Sequence, residues 1–371
     1  MNSSYDVAIV GAGIVGLGAA YAAVRRGQRV IVIDRSAEPH GATIRNFGHL
    51  CIGAQTGQAR RYGDKARGLW LTLAREAGFW LRESGTLVVA RHEDELALLS
   101  AAAESGGIDV LSAAETEERI PLAPGVAIGG AHIRTDLQTD PRTAAAAIRR
   151  YLAERGVEFL LRTSVGSVSE GEVVTSRGTI TAGLVVVAVN HDIDQLLPDL
   201  AEAAGVQRCG LDMLRVRTDL RSPLDAPLLT GWSLTRYGRF AELPEVVAVR
   251  ERLHAERPDL AALDLNQMYT QLPDGTLIVG DTHVRGGSIE PFQPEGAGDL
   301  LLTEAETLFG SPMQVIERWQ GVYASAPEDF LVDITTPGIA VLTATTGIGM
   351  TTGLGLAETT LAPLLPALAT A

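Results

Sequence analysis

The sequence predicts an α/β protein in which a Rossmann-type domain, built on a parallel sheet, carries an inserted domain built on an antiparallel sheet. Three observations lead there. Residues 6–10 and 28–34 are short apolar runs separated by a glycine-rich turn and an Ala-rich helical stretch at 15–26, which is β-α-β in about thirty residues. The run 184–189 is continuously apolar, as expected of a strand covered on both faces in a parallel sheet. At 371 residues the chain exceeds the length that one hydrophobic core usually serves, so two closely packed domains are expected.

The first βα turn reads Gly11-Ala12-Gly13-Ile14-Val15-Gly16. In such a turn Gly11 permits the tight reversal, Gly13 lets the backbone approach a pyrophosphate, and Gly16 lets the helix lie close to the strand. The amides opening that helix supply donors and partial positive charge for phosphates. Asp34 ends the second strand, where a carboxylate would accept hydrogen bonds from ribose hydroxyls and repel a 2′-phosphate. Strand, turn, helix, strand and acid in register point to a dinucleotide.

Beyond residue 60 the text becomes helical and charged, with a short strand at 86–90 and a helix at 93–104. Asp140-Pro141 opens an amphipathic helix that runs to Gly156. Strands follow at 165–168, 172–176 and 184–189. From 208 to 319 the text is strand-rich with long connections, which suggests a separate antiparallel sheet. A last core strand at 339–343, a Gly/Thr loop and a helix at 354–365 close the chain. The nucleotide domain is therefore expected to be discontinuous, comprising 1–75, 140–205 and 325–371, with 76–139 and 206–324 forming the substrate domain.

A net charge of −14 argues against a nucleic-acid partner, since phosphate binding needs a surplus of cations on some face. The first residues carry neither a basic start nor an apolar run long enough for a secretory address or membrane anchor, so a cytoplasmic protein is expected. Cys51 and Cys209 are the only cysteines, far apart and without metal-ligand spacing, so neither a disulfide nor a metal site is expected.

Four further segments resemble the D-amino-acid-oxidase-like family of FAD-dependent oxidoreductases, which includes glycine and sarcosine oxidases. They are Gly41-Ala42-Thr43-Ile44-Arg45-Asn46-Phe47-Gly48, Thr139-Asp140-Pro141-Arg142, Thr175-Ser176-Arg177-Gly178-Thr179-Ile180 with the run that follows, and the stretch from Leu272-Pro273-Asp274-Gly275 to Gly280-Asp281-Thr282. The chain also ends as that family ends, with Thr345-Thr346-Gly347-Ile348-Gly349-Met350-Thr351-Thr352-Gly353 leading into a helix. The resemblance implies noncovalent FAD held by Gly11, Gly13, Ile14, Val15, Gly16, Asp34, Arg35, Ala42, Thr43, Arg45, Asn46, Phe47, Val165, Gly347, Gly349, Met350 and Thr351. Amides at the last helix start would stabilise charge on the reduced flavin ring. The attaching cysteine of sarcosine-oxidase-like relatives has no counterpart in Trp319-Gln320-Gly321-Val322, and their oxygen-activating lysine none in Leu277-Ile278-Val279, so the electron acceptor is expected to be oxygen or another oxidant.

Arg45-Asn46-Phe47-Gly48 is similar to the signature of a subgroup tied to phosphonate catabolism, although the following His49-Leu50-Cys51-Ile52-Gly53-Ala54-Gln55 departs from that subgroup's text. The implied activity is oxidation of the C–N bond of a small anionic amine, by hydride transfer to flavin N5, giving an imine and then an aldehyde or keto product. Candidate substrates are amino acids and aminophosphonates, including N-methylated 2-aminoethylphosphonate. Arginine suits the anion, because its planar fork matches carboxylate or phosphonate. Arg236 and Arg285 are candidate anchors, each with a solvated surface role as the alternative, and Arg45 is expected near the flavin. His49 and His283 are candidates to orient substrate or adjust its protonation, and Tyr269 and Trp319 to wall the site, with structural roles as the alternatives. A flavin-dependent hydroxylase or hydroxy-acid oxidoreductase is the competing enzyme, and a flavin-binding sensor the non-enzymatic one. Gly280-Asp281 imitates a hydroxylase motif, but the Asp274-Gly275-Thr276-Leu277 before it and the lack of a second nucleotide motif argue otherwise.

Overall fold

The computed structural model describes residues 4–365. Five strands form its parallel half, in the order Glu158–Leu160, Val30–Ile33, Ser4–Val10, Gly178–Val187 and Ile339–Thr346. Their centres are apolar at successive positions because both faces are covered. Val7 to Val10 and Val30 to Ile33 are buried throughout. One face packs under the helices Ile14–Val24, Gly57–Ala77 and Gly349–Leu361. The other is closed by the hairpin at 165–175 and the short helices Ile193–Leu196 and Pro198–Ala203.

The α/β class and the antiparallel half are as the sequence suggests, but the antiparallel strands are not a detached sheet. Strand Gln314–Asp333 is 20 residues long, about 65 Å at the usual rise per residue. Its first part pairs with Gln207–Arg217 and its last with Ile339–Thr346, so it belongs to both halves and makes one 16-stranded sheet. The register shift between Ser325 and Phe330 marks where it passes from one to the other. A second sheet has three short strands, His49–Leu50, Leu137–Thr139 and Leu81–Arg82.

Several helical stretches escape the sequence reading, Glu295–Phe309 among them. Val246–Glu256 lies within text read as strand-rich, because its valines suggest a strand; yet the buried positions Val246, Val249 and Leu253 have helical spacing. The last helix starts at Gly349 rather than at 354. Its Gly/Thr-rich first turns look like a loop, but they are buried beneath the first helix, with Gly353 against Ile14 and Val15. Tertiary packing there overrides weak local propensity.

Candidate functional site

One cavity of about 870 Å³ runs along the C-terminal ends of the parallel strands and on under the antiparallel half. Its nucleotide-side wall is largely backbone. Gly11 has φ +107°, and a Cβ there would stand 2.4 Å from the carbonyl oxygen of Ala188. Gly16, expected to touch the cofactor, does not line the cavity: a Cβ on it would meet Gly11 O at 1.9 Å, so it acts by letting the helix approach the turn. Gly11, Gly13, Ile14 and Val15 do line it, and the first-turn amides of an α-helix have no acceptor within the helix.

Side chains fasten this wall as much as they face it. The Asp34 carboxylate accepts from Ala12 N–H at 2.7 Å and from Ser36 N–H at 2.7 Å, clamping the turn to the strand end. Thr43 accepts from Ile14 N–H at 2.8 Å through Oγ1. Asn46 is spent inside its own loop, donating to Ala42 O and Thr43 O and accepting from Gly48 N–H. Arg35 pairs with Asp192 at 2.7 Å, and Arg45 donates to Gln320 O at 3.1 Å. Ala42, Phe47 and Val165 complete this side.

The carboxy-terminal turn meets the same cavity, which Gly347, Gly349, Met350 and Thr351 also line. Trp70 Nε1 donates to Met350 O at 3.0 Å, and Cys51 N–H donates to Thr351 Oγ1 at 3.0 Å, so the helix start is held from outside. Two helix N-termini, a glycine wall that side chains would fill, and a carboxylate at a strand end are a donor and acceptor set that fits a dinucleotide.

Polar side chains line the other end. Arg236 donates to Asp264 Oδ1 at 2.6 Å, and Arg285 to Asp264 Oδ2 at 2.6 Å, so one carboxylate holds both guanidinium groups at the cavity wall. Burial opposes ionisation of Asp264, but the Arg236 charge and the hydrogen bond from Arg285 hold its carboxyl below the usual range. His283 also lines the cavity, with Nδ1 2.9 Å from Asp264 O. Burial, then the nearby Arg236 charge, push its pKa well down, so its ring is neutral around pH 7.

His49 reaches the cavity with both ring nitrogens occupied. Thr86 donates its hydroxyl proton to Asp136 Oδ2 at 2.7 Å, so at 2.6 Å it can only accept from His49 Nε2–H; Nδ1 faces Met268 Sδ at 3.2 Å. His49, Cys51 and Asp136 are a buried trio of metal-ligand type that the sequence spacing does not reveal. The Asp136 carboxylate is already engaged, Oδ1 accepting from Gly53 N–H at 2.5 Å.

Two expected wall residues lie elsewhere. Tyr269 is wholly buried in the antiparallel half, packing edge-on against Phe309 at 5.0 Å and accepting from Gln267 Nε2 at 2.8 Å. Trp319 sits behind the 41–48 loop, where Nε1 donates to Arg45 O at 3.4 Å and Arg142 covers its ring at 5.2 Å. Both satisfy their polar atoms away from the cavity, and neither lines it.

The residues that sequence reading misses are Asp264, Asn266, Tyr237 and Asp281, all on the cavity wall. No local pattern marks Asp264, whose backbone is left-handed at φ +47°. Asp281 is concealed inside Gly280-Asp281, read as a strand signature. Burial pushes its carboxyl up to about 7 against the lowering effects of Arg236 and Asn266.

The family model described as FAD dependent oxidoreductase matches residues 6–362. Glycine oxidase from Geobacillus kaustophilus superposes with a TM-score of 0.76 at 20% identity, covering 99% of each chain. L-proline dehydrogenase from P. horikoshii gives 0.77 at 18% identity, over 96% of this chain and 92% of that one. Among curated proteins, D-amino acid dehydrogenase of Helicobacter pylori is 24% identical over 243 residues, 49% of this chain and 59% of that relative. The match thus spans well under two thirds of that relative's length.

Proposed function

We propose, since the chain belongs to the FAD dependent oxidoreductase family, that it oxidises the C–N bond of a small anionic amine, either an amino acid or an aminophosphonate. N-methylated 2-aminoethylphosphonate is the narrowest form of this reading, supported by the Arg45-Asn46-Phe47-Gly48 signature. The observation that carries it is the sharing of one cavity by the glycine turns and the Arg236–Asp264–Arg285 cluster. The strand leading into Asp281 stands six strand steps from the strand that ends at Asp34, about 29 Å along the sheet. A dinucleotide bound at the first end therefore leaves room for a separate anionic ligand at the second.

The residues at 11–15, Asp34 and the 347–351 turn would hold FAD, which when bound supplies the two-electron acceptor. Arg236 and Arg285 would fix the substrate's anionic group, Asp264 keeping both forks aimed and partly neutralised. Neutral His283 beside them adds a hydrogen-bonding group without a third positive charge. Hydride leaves the carbon bearing nitrogen, and water hydrolyses the resulting imine to an aldehyde or keto product. Among the described residues no helix is long and apolar enough to cross a membrane. Both cysteines are free and buried, in keeping with a cytoplasmic setting.

The test is anaerobic mixing of the yellow purified protein with glycine, N-methylglycine, 2-aminoethylphosphonate and its N-methyl derivative. Bleaching of the flavin band by at least one is expected. No bleaching by any amine, with bleaching by a hydroxy acid or by NADPH instead, would replace this reading with a hydroxy-acid oxidoreductase or a hydroxylase.

A further inference from the structure

The far end of the cavity holds two buried acceptor atoms with nothing to accept. Asp281 Oδ1 and Asn266 Oδ1 have no hydrogen-bond partner, although both residues are more than nine-tenths buried. They are side by side by construction, because Asn266 N–H donates to Asp281 O at 2.9 Å and Asp281 N–H to Asn266 O at 2.6 Å. Both line the cavity that Arg236 and Arg285 line. A buried polar atom left unpaired costs about 1–3 kcal/mol, so such a pair is expected to meet donors from a ligand. The arginines already provide donors for an anion. What the cavity still lacks is a partner for the acceptors, and an ammonium group has three N–H donors and the opposite charge.

We propose that Asp281, with Asn266 beside it, receives the substrate's ammonium group and takes its proton, presenting the amine in neutral form for oxidation. The inference rests on the amine reading above and assigns the nitrogen its place within it. The step balances simply: one N–H bond breaks, an O–H bond forms on Asp281 Oδ1, and the electron pair of the broken bond stays on nitrogen as its lone pair. That lone pair is what the C–N bond needs to become an imine as the neighbouring C–H bond gives up its hydride.

The surroundings suit a proton acceptor that works near neutrality. Arg236 and Tyr237 face Asp281 from the turn between the short helices Gly231–Leu234 and Gly238–Ala241, Asp264 and Asn266 from the preceding loop, and His283 from its own segment, with Nε2 3.8 Å from Asp281 Oδ2. Tyr323 and Cys209 approach from the two long antiparallel strands, and the Arg285 charge acts on both. Asp212, on one of those strands, is engaged by the Thr282 hydroxyl at 2.8 Å. Burial raises the Asp281 carboxyl to about 7, so it is protonated below that pH and available as a base above it.

The experiment compares the wild-type holoenzyme with Asp281→Asn, which keeps the shape of the side chain and removes the base. With the amine that bleaches the wild type, the reduction rate is expected to rise through about pH 7 in the wild type. At pH 7 the variant should be slower by about a hundredfold or more, a deficit that narrows to less than about tenfold near pH 10, where free amine is abundant. Independently of turnover, the infrared spectrum of the wild type should contain a protonated-carboxyl band that disappears as pH rises through about 7 and is missing in the variant. Bleaching by an amine with the same pH profile in both proteins, or no such titrating band in the wild type, overturns the assignment of Asp281 while leaving the amine reading intact. Failure of every amine to bleach the wild type overturns both.

Discussion

At the Asp34 end the cavity wall is built around the backbone of the glycine turn at 11–15 and the strand end at 33–36, whereas at the Asp281 end it is built around side chains from three separate segments, 235–242, 264–268 and 281–285. On the proposed function the first end would recognise what any dinucleotide presents, phosphates and ribose, through amides whose positions are fixed by glycines. On the same proposal the second would recognise one particular small molecule through charges whose positions are fixed by other charges, as Asp264 holds Arg236 and Arg285. The difference separates what the fold supplies from what this chain adds. It also predicts that damage at the two ends is separable: one set of substitutions should empty the cofactor site, and the other should leave it full but blind.

The sharpest break is expected from Gly16→Val. A Cβ at Gly16 would stand 1.9 Å from Gly11 O, a backbone atom with no freedom to swing aside, so the turn and the helix must part. FAD affinity should fall by more than about a hundredfold, and the protein should purify colourless. Absorbance at the flavin band relative to protein measures this directly. A yellow Gly16→Val protein with unchanged FAD affinity would mean that the nucleotide end is not built on backbone approach.

Arg285→Ala and Arg236→Leu should act the other way. Loss of a hydrogen-bonded charge against an anion costs about 1.5–3 kcal/mol, so the dissociation constant of an anionic amine should rise about 10- to 100-fold with FAD content unchanged. Titration of the flavin spectrum with 2-aminoethylphosphonate and with uncharged-tail ethylamine provides the control, since ethylamine has no anion to lose. Equal weakening for both ligands would remove the arginines from anion recognition.

The same contrast explains what was legible in the sequence. Gly11, Gly13 and Asp34 announce themselves because a backbone site needs particular residues at fixed spacing along one β-α-β unit. Arg236 and Arg285 could be named only as arginines in the right half of the chain, with nothing local to tell them from surface groups. Asp281 and Asn266 could not be paired, because their adjacency is created by reciprocal backbone hydrogen bonds across fifteen positions of sequence. The joined sheet was invisible for a similar reason: strand-rich text that ends at 319 does not show that one strand, 314–333, serves two sets of neighbours. Tyr269 and Trp319 failed as wall residues because an aromatic on a strand near the site is equally suited to a core.

Tyr269→Phe is the smallest expected effect and sharpens the boundary between core and site. The ring packs against Phe309 and is retained in the variant, so no cavity opens. What is lost is an acceptor for Gln267 Nε2, whose amide sits in a fully buried set in which Thr230 donates to Gln267 Oε1 at 3.0 Å and Ser233 to Gln267 O at 3.0 Å. Leaving that donor unpaired should cost about 1–3 kcal/mol of stability, read as a lower midpoint in urea with an unchanged slope. Gln267 also precedes Met268, which meets His49 at the cavity, so the substitution tests whether the core transmits anything to the site. Because the Gln267 carbonyl remains held by Ser233, the backbone should not move, and both FAD content and the dissociation constant of an anionic amine should stay within about twofold of wild type. A tenfold change in amine binding would extend the second end of the cavity into the sheet beneath it.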